Sequence, residues 1–176
     1  ASGLQWNKTF GNINNDQAFS LENTSDGGYA LTGYYGVAPS NTDLWLIKTS
    51  SFGDEQWSNA YGGSALDTGY SVQQTSSGGY ILGGSTQASG SDYDAYLIKT
   101  DSSGNADWSK IYDFGSRHEY IQSVQQTGSE YAFAGYLNTS SNPVGWEVWL
   151  GGASSSGNLV MNKTYGGPKD DIGYSI

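Results

Sequence analysis

The chain has 176 residues with no cysteine, three prolines, one methionine and one histidine. Without cysteine there is no disulfide and no thiolate metal site. Only 14% of the residues are charged, and 7 Lys and Arg face 17 Asp and Glu, for a formal charge of −10. Nucleic acid as a partner is disfavoured, because phosphate binding needs clustered Lys and Arg. An anionic membrane surface is disfavoured for the same reason. No apolar run reaches the 18 residues that would suggest a membrane-spanning helix, so membrane insertion is not expected. No stretch supplies Ala, Leu, Glu and Lys at helical spacing. The first residues, Ala-Ser-Gly, carry neither an initiator Met nor a signal segment, which suggests a chain processed or cut from something longer.

What the chain does have is 26 Gly, 14 Tyr and 6 Trp, with Ser, Thr and Asn filling much of the rest. Gly and Asn suit tight turns, and Tyr, Trp and Thr suit strands, so the composition reads as all-β with many turns. The order is repetitive. "SLENTSDGGYALTGYY" at 20–35 becomes "SVQQTSSGGYILGGST" at 71–86 and "SVQQTGSEYAFAGYLN" at 123–138. Trp6, Trp57 and Trp108 recur about every 51 residues, as do Tyr29, Tyr80 and Tyr131, and Asp16, Asp67, Glu119 and Asp171. Several independent markers holding one period exclude coincidence.

Each unit contains four short strand-like runs, A to D. "SDGG", "SSGG" and "GSE" join A to B, and "SFGD", "SSGN" and "SSGN" join C to D, as hairpin turns with positive φ require. In run C, Leu44, Leu46 and Lys48 share one face while Trp45 and Ile47 share the other. A strand apolar on both sides is one buried on both sides, and a lone sheet cannot provide that.

The patterns W-x-K-x-[YF]-G-G, D-x-G-x-S-[VI]-Q-x-T-x-x-G-G-Y-I-L-x-G and D-x-[WY]-L-I-K-T-D-x-x-G-N-x-x-W, spread over 4–176, resemble a β-propeller repeat of secreted and cell-surface proteins of bacteria and archaea. The resemblance implies an all-β array of propeller-like blades and an extracellular or cell-surface location. It says little about chemistry, since propellers host binding, scaffolding and catalysis alike. The expected layout is a single array over 1–176, with blade-like units at 16–61, 67–112 and 119–165. Partial strands are expected at 4–10 and 172–176, one at each end. Three blades do not close a ring, which takes four to eight. The expected partners are therefore other copies of the chain or the rest of a longer repeat protein.

No catalytic motif stands out: there is no G-x-S-x-G elbow, H-E-x-x-H or phosphate loop, and no cofactor or metal is expected. "TDSSGNADW" shares a hairpin-to-Trp logic with the Asp-box of sialidase-like propellers, but its Asp and Trp stand at different distances from the Gly. The repeated acids Asp16, Asp67, Glu119 and Asp171, and a second set at Asp43, Asp94 and Glu147, read first as turn-capping residues, as Trp6, Trp57 and Trp108 read as packing. A ring of carboxylates that binds cations or sugars is the functional counterpart of that reading. Aromatic residues out of register, Tyr35, Tyr93 and Trp146, are the better ligand candidates, assigned to variable B–C connections. His118 and Arg117 join them from the most irregular D–A connection. Glycans are the ligand class these aromatics suggest. Asn7, Asn23, Asn138 and Asn162 each begin an Asn-x-Ser/Thr sequon. Two functions follow: a non-enzymatic extracellular scaffold or adhesive module of a surface or filament-forming protein, or a carbohydrate-binding or carbohydrate-active propeller using the B–C and D–A loops.

Overall fold

In a computed structural model, residues 6–38, 40–87, 92–115, 117–139 and 142–176 are described, without the side chains of 139 and 142–144. Twelve strands form three antiparallel sheets and there is no helix among these residues. The first sheet holds β1 (Gln17–Asn23), β2 (Tyr29–Ala38), β3 (Asn41–Thr49) and β4 (Glu55–Tyr61). The second holds β5 (Asp67–Gln74), β6 (Tyr80–Thr86), β7 (Asp94–Thr100) and β8 (Ala106–Tyr112). The third holds β9 (Glu119–Thr127), β10 (Glu130–Thr139), β11 (Asn142–Ala153) and β12 (Leu159–Tyr165). Each runs up and down in chain order.

The sheets are arranged as blades. β1 lies against β5, and β5 against β9, whereas β4, β8 and β12 make no comparable contact with each other among the described residues. The sheets therefore converge at their first strands and splay at their last, the radial geometry of a propeller. Side chains stitch the converging strands: the Val124 N–H donates to Ser71 Oγ (3.1 Å) and the Gln126 N–H to Gln73 Oε1 (2.6 Å).

The core sits between the sheets. Ala30, Leu44 and Leu46 of the first sheet meet Val72, Tyr80, Leu82 and Ile98 of the second. Ile81, Ala95, Leu97 and Tyr112 of the second meet Ile121, Val124, Tyr131, Phe133, Leu137 and Trp149 of the third. Each inner strand is apolar on both sides because each side faces a different neighbour, as the alternation in run C requires. The period itself is a packing device. Trp57 of β4 packs on Tyr80 (5.7 Å between centroids), and Trp108 of β8 on Tyr131 (5.8 Å). Each indole lies over the turn glycine of the next sheet, Gly104 (φ 81°) and Gly157 (φ 77°), where an added Cβ would fall 2.6 Å and 2.8 Å from the ring. Only glycine satisfies both the left-handed backbone and the close approach.

The two expected end strands are corrected in one respect. Within the described part of 4–10, and throughout 172–176, the chain is not assigned to strand. These segments nevertheless occupy the positions their register predicts. Trp6 packs on Tyr29 (5.8 Å) and over Gly53, as Trp57 and Trp108 do one and two repeats later. At the other end the Ile176 N–H reaches Ser123 Oγ (3.3 Å), the contact Val124 makes with Ser71. Neither segment belongs to a sheet among the described residues.

Position in the stack decides what a residue contributes. Leu82 is fully buried, whereas Leu31, one repeat earlier, lines an open groove. Leu82→Ala is expected to cost about 2–5 kcal/mol and Leu31→Ala less than about 1.5 kcal/mol in urea unfolding. Equal costs would mean that the first sheet's face is covered in solution.

Candidate functional site

The up-and-down strand order puts the start of A, the end of B, the start of C and the end of D at one end of every blade. Tyr35, Asp43 and Tyr61 gather there in the first sheet, as the pairings Tyr35↔Asp43 and Leu44↔Tyr61 show. The B–C and D–A connections, and both sets of repeated acids, therefore share this end.

Here the structure assembles an aromatic belt. Tyr34 packs on Phe19 (6.0 Å), Phe19 on Tyr70 (5.4 Å), and Tyr70 on Tyr120 (6.4 Å). Tyr120 continues to Tyr136 (4.9 Å), and Tyr136 to Trp146 (5.2 Å). Tyr93 and His118 flank it, 5.6 Å and 6.5 Å from Tyr120, and His118 lies 6.1 Å from Trp146. The Tyr93 N–H donates to His118 Nδ1 (2.9 Å), which fixes the ring and leaves its proton on Nε2 when neutral. The belt crosses all three blades. Two of its members are placed by β-bulges: pairing skips from Ala18 to Ser20 and from Gly69 to Ser71, so Phe19 and Tyr70 are the extra residues. A bulge re-aims the side chain of the residue it leaves unpaired. Phe19 is 46% exposed, and the other rings of the belt are half-buried.

Of the ligand candidates, Tyr93, His118 and Trp146 are brought together. Arg117 stands half-buried next to His118 in the chain. Tyr35 is not part of the belt; it packs on Trp45 (5.1 Å). The first and third B–C connections are shorter than the sequence suggests. β2 runs to Ala38 and β3 starts at Asn41, with Gly36 paired to Thr42, so Tyr35 lies in a strand. Trp146 likewise lies in β11, paired with Asn138. Antiparallel pairing satisfies backbone groups that a long loop would leave to water, and it extends the hairpins to the tip. The residues that sequence reasoning missed are Phe19, Tyr34, Tyr70, Tyr120, Tyr136 and the exposed Tyr174, which packs on Tyr136 (6.3 Å). Their signal was present: at these strand positions aromatics alternate with Thr, Ser and Gln between repeats, unlike the invariant packing Trp and Tyr.

Among the sequons, Asn7, Asn23 and Asn162 are exposed. Asn138 Oδ1 accepts the His118 N–H (2.9 Å), and Asn162 Oδ1 accepts Trp149 Nε1 (2.8 Å).

The two acid sets meet at the junctions between blades. A Cβ on Gly62 would stand 2.3 Å from Asp67 Oδ2 and 2.7 Å from Asp43 Oδ1. Gly166 stands in the same way against Glu147 and Asp171. Asp16, Asp67 and Asp171 each accept a loop N–H four residues back, from Asn12 (2.7 Å), Gly63 (3.3 Å) and Gly167 (2.8 Å). Glu119 differs: it is fully buried, and neither of its carboxylate oxygens has a hydrogen-bond partner. Burial, then Asp94, Asp113 and Asp92, push its carboxyl up to about 8, against a weaker pull from the Phe114 N–H, which lies near it but outside hydrogen-bond geometry.

A separate apolar groove of about 350 Å³ lies on the outer face of the first sheet, lined by Trp6, Leu21, Tyr29, Leu31, Trp45 and Ile47 among others. Leu21 is 56% exposed, whereas its counterparts Val72 and Val124 are 3% and 2% exposed under the preceding sheet.

No family model matches the chain, and neither does any curated protein. An α-L-arabinofuranosidase from Clostridium thermocellum ATCC 27405 is similar over 82% of this chain and 49% of its own, at 8% identity and a TM-score of 0.48. The tail fibre of Staphylococcus aureus phage P68 is similar over 89% of this chain and 40% of its own, at 13% identity and a TM-score of 0.31. The chain thus spans about half the length of the first and two fifths of the second. Neither likeness carries a statement about the chemistry of this protein.

The belt has a titration signature. Burial, and after it the neighbouring phenols, hold Tyr70, Tyr120 and Tyr136 above the ordinary tyrosine value of 10.0. A raised folded-state value means that the fold favours the neutral phenol. The contribution to stability is therefore complete below pH 10 and lost as pH rises beyond it. Tyrosinate absorbance should show a late-titrating class that Tyr120→Phe diminishes. A single transition near pH 10, identical in folded and denatured protein, would contradict this.

Proposed function

We propose that the chain is a non-enzymatic repeat module of a surface or filament-forming protein, which builds scaffold by stacking blade on blade. The observation that carries this reading is the uncovered face of the first sheet. Leu21 is 56% exposed where Val72 and Val124 are dry. What fits this groove is written in the other two junctions: each equivalent face is covered by the opposite face of a blade, Ala30, Leu44 and Leu46 in one case, Ile81, Ala95 and Leu97 in the other. The occupant is thus a further blade of the same repeat, and the third sheet of a second copy presents the matching positions, Ala132, Val148 and Leu150. Such a contact is head-to-tail; it gives a closed ring where the rotation closes and a filament where it does not. Two copies would make six blades, within the range of closed propellers. The low charge and the Ser-, Thr- and Asn-rich composition suit a place outside the cell or on its surface.

A second reading rests on a different observation. Tyr93, His118 and Trp146, chosen as ligand candidates, converge with Tyr120 and Tyr136 at the end of the blades. Aromatic faces beside a histidine suit stacking on sugar rings, which supports glycan adhesion by the same scaffold.

Sedimentation over a range of concentrations tests the first reading. Mass should rise with concentration, and Leu21→Asp with Leu31→Asp should hold the protein at monomer mass with an unchanged circular dichroism spectrum. A wild-type chain that stays monomeric throughout argues against assembly through this face. For the second reading, Trp146→Ala should weaken binding on a glycan array at least about tenfold (~1.4 kcal/mol), and an array without any binding removes it.

A further inference from the structure

The junction between the second and third blades is built differently from the other two. Glu119 opens β9 and Asp94 opens β7, and both are fully buried. The Glu119 N–H donates to the carbonyl of Tyr93 (2.7 Å), which ties the start of β9 to the residue before Asp94. Both oxygens of Glu119 are buried without a hydrogen-bond partner. Two fully buried carboxylates side by side are costly while both are charged, and either a proton or a cation relieves that cost. The charges that act on Glu119 are those of Asp94, Asp113 and Asp92.

Asp113 supplies the second difference. In the repeat it replaces Gly62 and Gly166, the glycines whose backbone abuts the acid pair at the other junctions. A side chain at Gly62 would run straight into the two carboxylates there. The middle junction thus has a third acid at the position where the other two have a glycine. Asp113 Oδ1 accepts the Gly115 N–H (2.6 Å), which orients the group.

We propose that this junction binds a hard divalent cation of the calcium class, held by Glu119 and Asp94 from the buried side and capped by Asp113 from the solvent side. All donors are oxygen, the set such cations prefer. Among the described residues no three acidic or histidine side chains already converge as a preformed cage. Waters and backbone carbonyls therefore complete the six to eight oxygens that calcium takes. The bound cation pins two blades together at the aromatic end, beside Tyr93 and Tyr120.

Terbium is the probe, since Tyr93 and Tyr120 stand within reach to sensitise its emission. Titration of the full chain at pH 8 should give saturable emission, displaced by calcium. Glu119→Gln should weaken terbium binding at least tenfold, and Asp113→Asn should weaken it as well while keeping the buried pair intact. Glu130→Gln, exposed at the start of β10 at the opposite end of the blade, should leave binding unchanged. Calcium should also raise the melting temperature of the wild-type chain but not that of Glu119→Gln. No saturable emission overturns the proposal, and so does equal loss in Glu130→Gln, which marks diffuse attraction to an acidic protein. Unchanged binding in both Glu119→Gln and Asp113→Asn overturns it too. A variant that fails to fold is recognised by its circular dichroism, and Asp113→Asn then carries the test alone.

Discussion

Everything in this fold depends on sheets whose two faces are both apolar. A four-stranded sheet with Leu44 and Leu46 on one side and Trp45 and Ile47 on the other has no stable existence in water alone. It becomes stable only against neighbours, and each neighbour has the same need. The repeat period follows from this mutual dependence. Trp57 and Trp108 serve the sheet after their own, lying on its turn glycine and its first tyrosine. The contact that defines a unit in space therefore joins residues of two units in sequence.

The same stacking concentrates chemistry at one end. Up-and-down order brings every B–C and D–A connection to a single rim, and convergence of the first strands closes that rim into a continuous surface. Side chains that are ordinary within one blade acquire partners from the next. Asp43 meets Asp67, and Tyr70 meets Tyr120. Departures from the repeat matter most where such partners meet. Asp113 in place of a glycine, and the histidine of the third D–A connection, both fall at the junction of the second and third blades.

Much of the fold was legible because strand, turn and period leave separate marks in the sequence. Alternation in run C announced two buried faces, and "SSGG" and "SSGN" announced hairpins that the structure contains. The strand lengths at the B–C tips were less legible. Residues such as Tyr35 and Trp146 look like loop residues beside Pro, Ser and Asn, yet cross-strand pairing carries them into β2 and β11. The candidate site was half visible. Tyr93, His118 and Trp146 were recognisable because they break the register, whereas Phe19 and Tyr70, though variable between repeats, take their place in the belt from bulges.

The sequence by itself determined the class of structure, the number of blades and the faces that must be covered, because burial pattern and turn chemistry are local properties written once per repeat. The tertiary structure alone decided which acids stand together, which aromatics form a belt, and that Glu119 is buried with no hydrogen-bond partner for either oxygen while Leu21 lies open to water. Those outcomes depend on distances between blades, and electrostatic and packing energies are set by distance and solvent access rather than by residue type.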